Sequence, residues 1–407
     1  MRPEVAVTGI GLVTPAGHTP QENWSELCRG RSLAATDPLL AGLPVDFSCQ
    51  VTGLDAAAEL GRSVTLRMDP FLRFALIAAR RAVTDADADP RAWNGDRVGV
   101  VLGVGGNSLD TYPTVCGHLG TGAPTRVSPL TVPRSAPNMA AGEVAIDLGA
   151  RGPNFTTSSA CASGATAIGV ARDLLRSGAC DIVLAGGSES ARSRMTAACF
   201  ARMRALSRRR EQPHLASRPF DAARDGFVLG EGAAVLVLER LSSARARGAR
   251  VLALLRGYGA TADAHHPIAP HPQGAGTVRA ITAALEDAGC APHDIGLVNA
   301  HGTSTPANDA LEAVALRRVF GDHMPLVTAS KGVIGHALGA AGAIQAAYTV
   351  LALRHARVPP VANFGSQEGD PELNIVAGAP RPLPKDAGIS CSYAFGGQNA
   401  VLLFTAA

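Results

Sequence analysis

Apolar positions along this chain fall into short runs separated by helical patterns, the alternation of an α/β protein. The runs at Arg97–Gly103, Ile182–Ala185, Ala233–Leu238, Val251–Leu255, Leu297–Ala300, Ile375–Val376 and Ala400–Phe404 predict strands. Apolar residues at three- and four-residue steps predict helices over Pro70–Ala86 and Ala162–Ser177. In the second, Ala165, Ile168, Ala171, Leu174 and Leu175 recur at this spacing, and Gly178 supplies a stop. The stretch 335–353 lacks Asp, Glu, Lys and Arg and is long enough to be mistaken for a membrane span. It holds His336 and Gln345 and ends just before Arg354, so a buried helix is expected.

Composition narrows the class. A chain of 407 residues with 46% apolar content can bury a large core and predicts two domain-sized halves, 1–250 and 251–407. The boundary follows the Arg-rich segment 242–250. Met1–Glu4 runs straight into the strand-like Val5–Gly9 with no basic-then-apolar leader, so a cytoplasmic protein is expected. The eight cysteines show no C-x-x-C pair and no zinc spacing, as reduced thiols without a metal would. The net charge of +3, with no recognition motif, gives no reason to expect a nucleic-acid partner. Of the 37 basic residues only Lys331 and Lys385 are lysines, so a lysine retained at 331 invites a chemical explanation.

The segment "TTSSACASG" at 156–164 places Cys161 between a strand end and a helix start, where unpaired amide donors and the helix dipole favour a thiolate. Alone, such a cysteine is more often packing than chemistry. Three further segments change that balance: "NAHGTSTPANDALEA" at 299–313, "ASKGVIGHALGAAGA" at 329–343 and "SYAFGGQNA" at 392–400. Together they supply a thiol, the imidazoles of His301 and His336 and the ammonium of Lys331, beside glycines that permit close approach. That set suits thioester chemistry.

These motifs, with "VTGIGLVTPAG" at 7–17 and "RPFDAARDGFVLGEGAAVLVLE" at 218–239, resemble the elongating β-ketoacyl-[acyl-carrier-protein] synthases of the thiolase-fold superfamily along essentially the whole chain. The resemblance implies a five-layer αβαβα thiolase fold of two related halves, and a dimer. It implies Cys161 as the nucleophile, acylated from the phosphopantetheine arm of an acyl carrier protein, with no cofactor bound by the protein itself. His301 and His336 would assist decarboxylation of malonyl carrier protein and stabilise the enolate. Lys331 would organise the site with Glu312 as partner, and the N–H groups of Cys161 and Phe395 would form an oxyanion hole. Phe395 also matches a gating aromatic, Thr303 and Thr305 the pantetheine-binding hydroxyls, and Phe200 a pocket aromatic. Gly106 falls where relatives close the acyl pocket with a branched side chain. Arg204 and Arg208, in an Arg-rich segment, are expected to dock the acidic carrier protein.

The chain departs from the family pattern at Gln345, usually a glutamate, at Ala394 for a loop glycine, at Ser330 for a threonine, and at Gly332–Ile334 for a more polar run. A CoA-dependent thiolase would carry a second cysteine where this chain reads "AFGGQN". A non-catalytic chain-length subunit would lack Cys161. Both a homodimeric fatty-acid enzyme and a polyketide ketosynthase paired with a chain-length-factor-like subunit remain open, and no membrane partner is expected. The "HPIAPHP" run at 266–272 lacks carboxylates at ligand spacing and is read as a loop beside the acyl entrance.

Overall fold

In the computed structural model, residues 3–106, 111–367, 369 and 371–407 are described; Met1, Arg2, 107–110, Glu368 and Asp370 lie outside the described residues. Two sets of five strands carry the architecture. The first set is β1 (Val5–Val13), β2 (Val98–Gly103), β3 (Asn154–Thr157), β4 (Ile182–Glu189) and β5 (Gly232–Arg240). The second is β6 (Ala253–Ala262), β7 (Leu297–Asn299), β8 (Leu326–Thr328), β9 (Ala387–Ala394) and β10 (Gln398–Thr405). Their order is β8-β7-β9-β10-β6-β1-β5-β4-β2-β3. Counted within each set, both read 3-2-4-5-1, with the same parallel and antiparallel pairings. Among the described residues, the two sets pair with each other where Ala6 and Val7 face Leu254 and Ala253.

Helices fill the layers on either side. α1 (Pro70–Asp85) and α2 (Met139–Leu148) cover the outer face of the first set through a core that includes Phe71, Ala75, Ala78, Val100 and Val235. α5 (Ala275–Ala288) and α6 (Pro306–Phe320) cover the second through Ile281, Leu316, Phe320 and Val401. Between the sheets lie α3 (Ser163–Arg176) and α7 (Ala341–Arg354), sharing one core. α4 (Arg194–Arg202) follows β4 toward the surface. Apart from its terminal Arg354, α7 is buried on every side, as a helix apolar all round must be. No helix among the described residues is long and apolar enough to cross a membrane.

Glycine sets how closely α3 and α7 approach. A Cβ on Gly164 would lie 2.7 Å from Ala343 N, and one on Gly342 would lie 2.7 Å from Ala165 N. The two N-termini therefore touch, and the residues ahead of them share one space. Several sequence expectations shift here. The strand expected at Val251–Leu255 begins later and runs on to Ala262. The run Ile375–Val376 is not a ladder strand; it lies along β8 by a single bridge from Ile375 to Val327, and Val376 O accepts from Val361 N at 2.8 Å.

Candidate active site

Hydroxyls shape the turn that carries Cys161. Strand β3 ends at Thr157, whose Oγ1 donates to Ser163 O at 2.9 Å. Ser163 Oγ donates to Ala160 O at 2.6 Å and accepts from Ser159 N at 2.9 Å. These bonds hold a one-turn 3-10 helix, Ala160–Ala162, in which Ala160 has φ +47°, a left-handed conformation that a non-glycine residue adopts only when its surroundings impose it. Cys161 sits half-buried just before α3. The expectation of a favoured thiolate fails at rest: burial pushes the thiol up to about 11, while the Lys331 charge pulls the other way. Desolvation outweighs the nearby positive charge.

The His301 loop hangs from carboxylates on α6. Thr305 caps the helix, accepting from Asn308 N at 3.3 Å, and Pro306 opens it. Nearly two turns in, Glu312 accepts from His301 N at 2.7 Å and Gly302 N at 2.8 Å. Asp309 accepts from Ser304 N at 3.1 Å and Phe220 N at 2.7 Å. Gly302, at φ +44°, must be glycine, since a Cβ there would lie 2.6 Å from Ala329 Cβ. Burial raises Glu312 to about 7, against the backbone donors that favour its ionised form.

Lys331, 2% exposed, reaches His301 from behind. Its Nζ donates to His301 O at 2.6 Å and Gln345 Oε1 at 2.5 Å, and lies 3.3 Å from His301 Nδ1. An ammonium has no acceptor, so it makes Nδ1 the acceptor and leaves the imidazole proton on Nε2. Lys331 and Glu312 make no direct ion pair: both Glu312 oxygens accept from the backbone of the His301 loop, and the two groups act on each other through space. Burial lowers His301 and His336 well below the usual histidine range, aided by the Lys331 charge. Their rings lie 5.5 Å apart at 87°. Among the described residues His336 Nδ1 has no hydrogen-bond partner.

A cavity of about 430 Å³ gathers Cys161, His301, His336, Thr303, Thr305, Phe200, Phe395 and Arg204. Thr303 Oγ1 and Thr305 Oγ1 are 2.9 Å apart. Phe395 is 37% exposed and its ring lies 6.3 Å from that of Phe200. Cys161 and Phe395 both stand early in one-turn 3-10 helices, positions whose N–H groups precede the first intrahelical bond. Four expected residues fall outside the cavity lining: Lys331 and Glu312 stand behind His301, and Gly106 and Arg208 lie apart from it. Gly106 instead donates its N–H to Glu189 Oε2 at 3.1 Å, beside Gly105 N at 2.8 Å. Arg208 is exposed beyond the cavity.

The sequence reading missed Phe227, Tyr393 and Leu338, which also line the cavity. Phe227 stands edge-on to both Phe200 and His336, at 5.3 Å from each. Its signal lay inside "DGFVLGEG", where an aromatic between glycines marks a close approach. The loop around His266 does border the cavity through Ile268, Ala269 and Pro270. Among the described residues, no group of three or more His, Cys, Asp or Glu side chains is arranged to hold a metal ion.

A sheet order repeated twice around a central helix pair, with a cysteine at the start of one helix, defines the thiolase-fold acyltransferases. The family profile "Beta-ketoacyl synthase, N-terminal domain" matches residues 2–244, and "Beta-ketoacyl synthase, C-terminal domain" matches 252–365. The chain belongs to the β-ketoacyl synthase family. It is similar to the 3-oxoacyl-[acyl-carrier-protein] synthase 2 of Synechocystis sp., 42% identical over 406 residues covering 98% of this chain and 97% of that one. Among solved structures it is similar to a chain of the ishigamide ketosynthase/chain length factor, with TM-score 0.94 and 33% identity over 100% of both chains. It is also similar to a chain of a type II polyketide acyl-carrier protein complex with its ketosynthase bound to the hexaketide, with TM-score 0.90 and 29% identity over 100% of both.

Proposed function

We propose that this chain is a β-ketoacyl-acyl-carrier-protein synthase that joins an acyl group held on Cys161 to malonyl carrier protein by decarboxylative Claisen condensation. The observation that carries this reading is the single cavity shared by Cys161, His301 and His336, with Lys331 directly behind His301. Cys161, in the half 1–250, attacks the acyl thioester of a carrier phosphopantetheine; the acyl–sulfur bond to the carrier breaks and the pantetheine thiol leaves with a proton. In the half 251–407, His301 and His336 face malonyl carrier protein as it loses carbon dioxide. The Nε2–H of His301 donates to the enolate oxygen that forms. The enolate carbon attacks the acyl–Cys161 carbonyl, the N–H groups of Cys161 and Phe395 hold the resulting oxyanion, and collapse frees the Cys161 sulfur. Thr303 and Thr305 hydrogen-bond the pantetheine arm, Phe200 and Phe395 line its path, and Glu312 holds the His301 loop. Arg204 and Arg208 present positive charge to the carrier protein.

The protein works in the cytoplasm as a dimer through the β3 edge. That edge strand leaves Phe155 exposed next to α2, whose Ile146 is exposed too. An open, apolar sheet edge on a stable protein calls for a covering chain. The solved relatives that pair a ketosynthase with a chain length factor favour a heterodimeric polyketide assembly as a second reading. Intact mass after incubation with a panel of acyl carrier proteins tests the activity: an acyl adduct on Cys161 is expected, and no adduct from any acyl donor would reject it. Native mass spectrometry, alone and with a chain-length-factor-like subunit, separates the two assemblies.

A further inference from the structure

The ammonium of Lys331 occupies a seat built from uncharged groups. Its three neighbours are His301 O, Gln345 Oε1 and His301 Nδ1, and no carboxylate among the described residues pairs with it directly. Gln345 is 1% exposed on α7. Its Nε2 donates to Ala300 O at 2.7 Å and Cys391 O at 3.2 Å, and Asn299 O lies 3.4 Å away. One end of the amide thus faces an ammonium and the other faces three carbonyl oxygens. This fixes its orientation. An ionised carboxylate at position 345 would meet those carbonyls with no hydrogen to offer.

We propose that Gln345 is the positioning residue that keeps Lys331 an un-neutralised cation, directed at His301 and within electrostatic reach of Cys161. The proposal deepens the ketosynthase reading above and rests on it for its catalytic consequence. A carboxylate partner would hold the lysine proton more tightly but cancel the field that the ammonium projects into the cavity. A neutral amide does the reverse: the charge stays available to a thiolate, a malonyl carboxylate or an enolate, and the proton is held less firmly.

Several other groups face Lys331: Glu312 and Asp309 from α6, Cys161 ahead of α3, Cys391 from β9, and the rings of His301 and His336. Burial dominates among them and brings Lys331 down to about 8, with Glu312 and Cys161 opposing it. Decarboxylation should therefore fall on the alkaline side as this proton leaves.

Because the chain has only two lysines, its ammonium can be titrated directly. Protein labelled with ¹³Cε-lysine gives two resonances, and Lys385→Arg assigns them. Gln345→Glu is expected to raise the Lys331 midpoint by a unit or more. Gln345→Leu, which removes the acceptor, is expected to lower it. The alkaline limb of malonyl-carrier decarboxylation should follow in the same direction in each variant, with kcat at pH 7 at least tenfold lower for Gln345→Glu and KM within twofold. Unmoved midpoints, or midpoints that move the same way in both variants, overturn the proposal. If Gln345→Leu fails to fold, Gln345→Glu decides alone, since it preserves side-chain volume. The titration needs no turnover, so a protein inactive on every carrier would sink the ketosynthase reading while the resonance still decides the role of Gln345.

Discussion

The two halves of the molecule share one strand order yet differ at the same junction. In the first half, strand β3 passes to its central helix α3 through five residues, 158–162. In the second half, the passage from β8 to α7 takes twelve, 329–340. The extra length carries Lys331 and His336. The repeated frame brings both junctions to one place, because glycines let the paired helices touch. On the function proposed above, the difference between them supplies the chemistry. A thiol fits in the short turn, while the long one has room for a cation and an imidazole, with His301 arriving from the neighbouring strand β7.

On this comparison the halves divide the reaction, and removing either part should leave the other working. Cys161→Ala should abolish the acyl adduct in intact mass while malonyl decarboxylation persists, with melting temperature changed by no more than about 2 °C, since the turn loses a thiol and little packing. His301→Ala or His336→Ala should do the opposite. The adduct on Cys161 should still form, while condensation falls on the order of 10²- to 10⁴-fold, the range for loss of a positioned acid–base or oxyanion donor. If either histidine variant also lost acylation in proportion, the division between halves would be wrong.

How much of this was legible in the sequence follows the same line. Cys161, His301, Lys331 and His336 stand in glycine-bounded motifs whose chemistry is local, so residue type singled them out, and the structure gathers them in one place. Lys331 and Glu312 interact through space and not by a direct ion pair, which was not legible because a sequence shows which charges exist but not which backbone donors compete for them. His301 N and Gly302 N took the carboxylate first. Tyr393 was missed because an aromatic beside apolar residues looks the same whether it faces core or cavity, and Phe227 because the glycines around it went unread as a close approach. The backbone tie of Gly106 to Glu189 was invisible in the sequence, which shows side chains and not the direction of a peptide N–H. The expectation of a favoured thiolate weighed the helix dipole without the burial that opposes it.

The outer edges sharpen the contrast between halves. The β8 edge is covered: Val327 N donates to Asn374 O and Val376 N donates to Val327 O, each at 2.9 Å. The corresponding β3 edge shows an exposed Phe155, and the equivalent covering segment is absent among the described residues. Phe155→Glu should therefore weaken dimerisation at least tenfold by analytical ultracentrifugation and leave the monomer folded. A like substitution on the covered edge, Val327→Glu, should destabilise the chain itself, since it buries an unpaired carboxylate. A Phe155→Glu protein that stays dimeric at nanomolar concentration would place the interface elsewhere.

The smallest effect is expected where the first half meets its partner protein. In the segment after α4, Arg209 and Arg210 face the acids Asp225 and Asp46, the latter pair at 2.6 Å. The side chains of Arg204 and Arg208 are exposed and make no ion pair among the described residues, and Arg204 also borders the cavity mouth. Charges left without an internal partner are the ones available to an acidic carrier protein. Rim charges of this kind act chiefly on encounter rate and are screened by salt. Arg204→Glu with Arg208→Glu should lower kcat/KM for acyl carrier protein by about three- to tenfold at low salt, with little change for a small pantetheine thioester. Raising ionic strength to about 0.5 M, where the screening length falls below 5 Å, should close most of that gap. The same reversal at Arg210 should act differently: it breaks a pair with Asp46 and should cost stability before it costs carrier recognition. Equal losses on carrier and mimic, or a gap that survives high salt, would mean that these arginines shape the cavity mouth rather than dock a partner.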